Sequence, residues 1–381
     1  MAVTEIYVDH SGGSDPGPEP GSGGDGSSGN PVQTLSAAFT LAATAGTSAN
    51  VRINVKNTSS SSKMTSLGSL PTGHSISSQI VIAPYSSSAG DTENFLYLDA
   101  GGSDDVLDND TVDAIVWNRC HFSNTSTDSG SFMNLDNNLL FYKCTFDNCT
   151  FTGDNSIGAY FCTWENMVAS GNACFASGSS SVVYGCNISG SGESTLPYLI
   201  QSLWIMNSVV YWNGTVDLMW KSLSAAGGCL QNAFVYSDAS HSSGDGNGVQ
   251  IDDQVLCQFN YFENCAVAIE DENNSEVVIN GPNAFYGNTT KRFTVDSNML
   301  DITKPITAAD YDLSASGYPN ASSNNWTMSD DLRNERTNQY TPLTATSTAI
   351  EAYFGAFLKT ADGSGGTTGK QGLHGIETGS V

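Results

Sequence analysis

The sequence predicts an all-β chain wound as a parallel β-solenoid. Three observations carry that prediction: a composition suited to many short strands, a three-residue motif that recurs about every 23 residues, and two ends where the recurrence stops. The chain has 381 residues, with 39 Gly, 39% hydrophobic and 10% aromatic side chains. That is too much apolar material for a disordered chain. The Gly, Ser, Thr and Asn that fill much of the remainder suit polar turns between short strands. Thirteen Lys and Arg stand against 39 Asp and Glu, a net charge of −26, and only 14% of residues are charged. An average soluble domain carries roughly 25%, so a shortage of cations contributes as much as an excess of acids. With no track of Lys and Arg to displace phosphate counterions, nucleic acid is excluded as an expected partner.

The repeat shows first in the cysteines. Cys120-His121-Phe122 recurs as Cys144-Thr145-Phe146, Cys162-Thr163-Trp164 and Cys186-Asn187-Ile188. It continues as Ser208-Val209-Val210, Asn232-Ala233-Phe234, Asn260-Tyr261-Phe262 and Asn283-Ala284-Phe285. Asn stands four residues after the first position at Asn124, Asn148, Asn166 and Asn264. A unit of this length fits one solenoid turn of two or three short strands and their corners. Along a strand, alternate residues share a face, so the first and third motif residues point inward and the bulky third stacks on its equivalent one rung away. A thiol at the first position acts as a small hydrophobe. The middle residues His121, Thr145, Thr163 and Asn187 then point outward. Asn at the corner tolerates left-handed geometry and is expected to ladder its amide from rung to rung. A β-sandwich with coincidental spacing is the competing architecture. The nine cysteines are odd in number and lack paired metal or disulfide spacing, so free thiols from a reducing compartment are expected.

The ends read as caps, giving four segments: an N-terminal cap with one helix over 1–50, a parallel β-helix over 51–303, a C-terminal cap over 304–358 and a Gly-rich interaction tail over 359–381. Asn30-Pro31 reads as N-cap and first helical residue. Val32, Leu35, Phe39 and Ala42 follow as one apolar face, and Gly46 stops the helix. Such a helix suits a lid over the first rung, whose bare edge would otherwise invite aggregation. Val51–Val55 and Gln79–Ile82 alternate as early strands, with a Ser-rich side loop over 58–78 between them. The first 30 residues carry no basic start or apolar run of leader length, and the longest apolar stretch, Leu196 to Trp212, is interrupted by polar residues. Neither export by a leader nor a membrane span is therefore expected.

Tyr7-Val8-Asp9, Gly12-Gly13-Ser14-Asp15, Gly24-Asp25-Gly26, Asn30-Pro31 and Thr34-Leu35 together resemble the N-terminal signature of the pectate-lyase-like right-handed parallel β-helix superfamily. The close, Tyr311-Asp312-Leu313 through Asp331-Leu332-Arg333 to Ala352-Tyr353-Phe354-Gly355-Ala356-Phe357, is similar to the terminal segment of such chains, with Phe354 where Ile is usual. The resemblance spans Glu5 to Leu358. It implies a single-stranded right-handed parallel β-helix with an N-terminal capping helix and an irregular C-terminal cap. It does not fix a function, because the superfamily includes lyases, hydrolases, adhesins and viral spikes.

A uronate lyase needs a cation or base at the C5 proton, and Arg119 and Lys143, each just before a motif Cys, are the candidates; solvent-facing cations are the plain alternative. A hydrolase needs paired carboxylates. Asp252 and Asp253, with Asp238, His241 and Asp245 nearby, form the one cluster worth naming, although the Gly-His-Gly and Arg-Ile-Lys elements of β-helical hydrolases are missing. Asp104, Asp105, Asp108 and Asp110 are candidate oxygen ligands for Ca²⁺, with a solvated acidic loop as the alternative. Trp204, Tyr211, Trp212 and Trp220 are candidates for stacking sugars, with core packing as their alternative.

The expected function is a non-enzymatic virion protein, a β-helical spike or decoration protein on the head or tail of a bacteriophage that binds host-surface glycans. Its expected partners are other virion proteins, through tail 360–381, and further copies of itself, with a trimer the assumed number. It would be made in the host cytoplasm and displayed on the particle. A β-helical polysaccharide lyase or hydrolase is the alternative, and a bacterial surface protein the third reading.

Overall fold

The computed structural model describes residues 3–17, 23–46, 48–56, 79–85, 95–99, 107–109, 115–123, 133–135, 139–149, 151–153, 157–168, 175–177, 181–193, 198–222, 227–241, 245–251, 256–271, 278–280, 283–294, 299–301, 311–323, 327–330 and 332. The chain divides into two compact units, residues 1–181 and 182–381. Each is a parallel β-helix in which, from Ile80–Tyr85 onward, successive turns add strands to three parallel sheets.

In the first unit, one sheet runs Val3–Val8, Asn50–Lys56, Ile80–Tyr85, Ile115–Asn118, Leu139–Tyr142, Ile157–Tyr160. A second holds Leu96–Asp99, Cys120–Ser123, Thr145–Asp147 and Thr163–Val168, and a third Leu107–Asn109, Met133–Leu135, Phe151–Gly153 and Phe175–Ser177. In the second unit the first sheet is Val182–Tyr184, Trp204–Met206, Gly228–Leu230, Leu256–Gln258, Val278–Asn280 and Met299–Asp301. Its second sheet is Asn187–Glu193, Val209–Thr215, Ala233–Tyr236, Tyr261–Glu263, Ala284–Tyr286 and Tyr311–Asp312. The third is Ile200–Ser202, Leu218–Ser222, Asn247–Ile251, Val267–Asp271 and Thr290–Thr294.

The motif sets the register. His121, Thr145 and Thr163 pair across successive strands, as do Phe122, Phe146 and Trp164. In the second unit Val209, Ala233, Tyr261 and Ala284 align in the same way. All eight first-position and all eight third-position side chains are buried. Phe122 and Phe146 stack with centroids 5.2 Å apart, and Phe146 meets Trp164 at 4.6 Å. Phe234, Phe262 and Phe285 stack at 5.4 and 5.6 Å. Each such ring contributes its buried area and roughly 0.5–1.5 kcal/mol more from the aromatic pairing. The eight described cysteines are buried and form no disulfide.

Two corners turn through the left-handed region. The expected one is four residues after the first position: Asn148, Asn166 and Asn264 have φ of 53°, 54° and 57°, and Gly287 takes the place with φ 67°. The other immediately precedes the first position and includes Arg119, Lys143, Phe161, Gly185, Asn207, Gln231 and Phe259, with φ between 51° and 66°. The amides of Arg119 and Lys143 donate to Tyr142 O and Tyr160 O on the next rung, both at 2.9 Å, so the backbone ladder continues through the bend. Asn264 Nδ2 reaches Tyr236 O one rung back at 3.1 Å rather than another amide. The corner amide thus reaches the neighbouring rung as expected, as does Asn166 Nδ2 to Asp147 Oδ1 at 2.9 Å, and a second ladder, of amide on amide, lies inside the column.

That inner ladder occupies the first position of the second unit. Asn232 Nδ2 donates to Asn260 Oδ1 at 3.0 Å, and Asn260 Nδ2 to Asn283 Oδ1 at 3.2 Å. The same Oδ1 atoms accept the backbone amides of Asn232 at 3.0 Å and Asn260 at 2.9 Å, while Asn232 Oδ1 accepts from Ser208 N at 3.0 Å. Ser208 Oγ takes Cys186 N at 3.1 Å. An unpaired amide in this interior would cost several kcal/mol; here every side chain is matched to the rung before it.

The helix spans Leu35–Thr44 and packs on the strand Val3–Val8, with Leu35, Ala38, Phe39 and Ala42 buried. Its N-cap is Thr34, not Asn30: Thr34 Oγ1 accepts from Ala37 N at 3.1 Å. The Asp15 carboxylate fixes this start, accepting from Gln33 N, Thr34 N and Thr34 Oγ1 at 2.8–2.9 Å. Asp9 holds the preceding turn through Ser11 and Gly12 and pairs with Lys56 at 2.7 Å.

At the other end, Tyr311–Asp312 adds one more strand to the second sheet. Leu313, Tyr318, Ala321, Met328 and Leu332 then pack over the outward row of that sheet, against Val209, Tyr211, Ala233, Val235, Tyr261 and Ala284. The described part of the C-terminal segment is therefore a strap along one side. Residues 333–381, including the tail, lie outside the described residues.

Candidate functional site

The acidic cluster named from the sequence is rearranged by the fold. Asp252 and Asp253 lie outside the described residues. Asp238 is exposed and closes its own turn by accepting from Ser240 N at 2.7 Å. Asp245 meets Asp217, a residue that sequence reasoning missed. Asp217 precedes the strand Leu218–Ser222, and Asn247 N donates to Asp217 O at 3.0 Å, which brings the two carboxyls to neighbouring rungs. Partial burial raises the Asp217 carboxyl above its ordinary range, and the charge of Asp245 and their shared hydrogen bond act the same way. Only an alignment of the third strand of each turn would have found the pair, and the motif does not mark that strand.

His241 packs beside Gly246, the residue after Asp245. Its ring meets Tyr236 edge-on with centroids 4.7 Å apart, and Nε2 bonds Asn264 O. Since a carbonyl only accepts, Nε2 is the donor in this bond; Nδ1 is buried, with no hydrogen-bond partner among the described residues. The ring takes the space a side chain on Gly246 would need, since a Cβ there would lie 2.2 Å from His241 Cγ, and Gly246 has φ +84°. Tyr236 is buried and its hydroxyl reaches Asn247 O at 2.9 Å. His241 is thus held as a packing element of the loop, with its protonated nitrogen committed to the backbone.

Arg119 and Lys143 occupy successive rungs at the left-handed corner of the first unit, half-buried on the outside. Lys143 Nζ lies 5.2 Å from the Tyr142 ring centroid, a cation–π contact on the surface. On the neighbouring outward face Asp147 and Glu165 pair in register, and Asn166 Nδ2 donates to Asp147 Oδ1 at 2.9 Å. Burial, then the charge of Asp147, raises the Glu165 carboxyl.

The aromatic candidates do not form a platform. Trp212 and Trp220 are fully buried, with their indole N–H groups bonded to Gly192 O at 2.9 Å and Ser202 Oγ at 2.8 Å. Both follow the inward parity of their strands, so they fill the column and cannot stack on a sugar. Tyr211 faces outward but lies beneath the strap. Trp204 alone is half-exposed. Of the calcium candidates, Asp104, Asp105 and Asp110 lie outside the described residues. Asp108 is in the strand Leu107–Asn109, in register with Asn134. Among the described residues no three His, Cys, Asp or Glu side chains gather as a metal-binding group.

No family model, curated protein or solved structure matches this chain.

Proposed function

We propose that this chain is a non-enzymatic structural protein of a virus particle, a β-helical spike or decoration protein on the head or tail of a bacteriophage that engages host-surface glycans. The observation that carries the reading is the inner ladder from Cys186 through Ser208, Asn232 and Asn260 to Asn283, in which each rung is tied to the next by side-chain as well as backbone hydrogen bonds. An interior closed in this way makes a stiff post, which suits a part that must keep its shape outside a cell. The likeness of both ends of the sequence to pectate-lyase-like β-helices supports the same reading, and tail 360–381 is assigned to docking on other virion proteins.

The depolymerase alternative draws on the Asp217–Asp245 pair. The sequence lacks the Gly-His-Gly and Arg-Ile-Lys elements of β-helical hydrolases, so the structural reading is preferred. The test is quantitative mass spectrometry of particles purified from the producing culture. The proposal requires this chain in fixed stoichiometry with the capsid proteins, and its absence from washed particles rejects it. Turnover of a glycan that Asp217→Asn abolishes would install the alternative.

A further inference from the structure

We propose that Cys229 and Cys257 are a cross-linking site of the second unit, a pair of reduced thiols that a peroxide converts to a disulfide tying two successive turns from inside the column. The two residues pair in register on neighbouring strands of the first sheet. Both are fully buried, and neither is in a disulfide. Their sulfurs each lie 3.6 Å from one atom, Asn260 Nδ2, so they turn to the same spot, where the two sulfhydryls are in hydrogen-bonding contact. The amide ladder fixes the backbone of both strands. Asn260 Nδ2 donates to Cys229 O at 2.9 Å, and Asn283 Nδ2 to Cys257 O at 3.3 Å. The two α-carbons are therefore held at the strand spacing of about 4.8 Å, inside the range that a disulfide spans.

The row in which they stand makes the pairing unique. It runs Val183, Ile205, Cys229, Cys257 and Asn280, so along it each thiol has one thiol neighbour. In the first unit, by contrast, Cys144 contacts both Cys120 and Cys162 and also donates to Trp117 O at 3.3 Å. Burial pushes the Cys229 thiol up, so it stays protonated and inert while the rung is closed. A peroxide reacts when the rung opens locally. One sulfur, as thiolate, attacks a peroxide oxygen; the S–O bond forms, O–O breaks, and the departing hydroxide takes up the thiol proton as water. The second sulfur then attacks the sulfenic acid; S–S forms, S–O breaks, and a second water leaves with the second proton. Two thiols lose two hydrogens and two electrons, and one peroxide becomes two waters. The closing step needs no further encounter, because the register already holds the partner in place. This inference rests on the geometry of the second unit alone and stands or falls separately from the virion assignment.

The experiment treats the folded full chain with hydrogen peroxide, then alkylates the remaining thiols in urea. Cleavage at aspartate and mass spectrometry without reductant follow; Asp238 and Asp245 lie between the two cysteines and separate their peptides. The peptides holding Cys229 and Cys257 should be joined, with the loss of two hydrogens. The treated chain should also show a higher urea midpoint without reductant than with it, because the bond constrains the unfolded chain. Cys265→Ser should leave the linkage intact, and Cys257→Ser should abolish both the linkage and the midpoint shift. Circular dichroism of each variant reports folding, and the wild-type peptide map decides the matter if a variant does not fold. Unlinked Cys229 and Cys257 in the treated folded chain overturn the proposal. So does linkage of either residue to Cys265, or linkage that forms only when the peroxide is added in urea.

Discussion

The Tyr261 hydroxyl donates to Glu263 Oε2 at 2.7 Å and accepts from Gly317 N at 2.6 Å, so one buried phenol ties the strap to the sheet beneath it. Glu263 is only 5% exposed. Burial raises its carboxyl above the usual range, although hydrogen bonds from Ser316 and Tyr261 pull the other way. Among the described residues, the titratable groups around it are Tyr211, Tyr261, Tyr318, Tyr286 and Cys265, none of them cationic.

A carboxyl whose folded pKa lies above its unfolded value of 4.5 contributes most stability below that value. The contribution declines as pH rises from there through the folded pKa. Thermal unfolding followed from pH 4.5 to 8 should show this loss in the wild-type chain. Glu263→Gln keeps the shape without the charge and should flatten the profile across that window. An unaltered profile in the variant would remove Glu263 from the account of the strap.

Asn260→Ala should be among the most damaging single changes in the second unit. It strips acceptors from Asn232 N and Asn232 Nδ2 and the donor from Cys229 O, all buried. At about 1–3 kcal/mol for each buried group left unpaired, a loss on the order of 3 kcal/mol or more is expected in urea denaturation. Asn260→Ser keeps an oxygen of the kind that Ser208 already offers two positions along the ladder and should cost less.

Arg119 holds φ 53°, a region that costs a side chain roughly 1–2 kcal/mol. Arg119→Gly should be neutral or stabilising by up to about 1 kcal/mol, as Gly185 at the equivalent corner suggests. Arg119→Val, with its branched Cβ, should destabilise by more than about 1 kcal/mol. Chemical denaturation separates the two outcomes.

Gly246→Ala places a methyl group against the His241 ring in a backbone conformation that disfavours it. His241 should detach from Asn264, at a cost of roughly 2 kcal/mol or more. Hydrogen exchange at Gly246 and Ala266, whose amides bridge neighbouring rungs at 2.8 Å, should accelerate. Unchanged protection would show that His241 is not held by packing.

The column was legible because a parallel in-register stack places like residues over like, and Phe122, Phe146 and Trp164 announce that at a fixed place in the motif. The parity that put Phe146 inside also puts Trp212 inside, two residues beyond Val210, so its burial was readable although the ring invited a sugar-binding reading. Other features depend on distant partners. The helix starts at Thr34 because Asp15, far back in the chain, gathers the first amides. Nothing about Arg, Lys, Phe or Gln signals a left-handed corner, so the bend before each motif was invisible until the backbone was seen. Asp217 escaped notice because its partner Asp245 is one turn away on a strand without a motif.

The claim that residues one repeat apart lie directly over one another is tested most directly by oxidative cross-linking of Thr145→Cys with Thr163→Cys. Both positions are half-exposed and in register, and neighbouring strands about 4.8 Å apart fall within disulfide reach. The account predicts rapid intramolecular disulfide formation in this pair and none in the offset pair Thr145→Cys with Glu165→Cys. Cross-linking in the offset pair, with none in the aligned one, would contradict it.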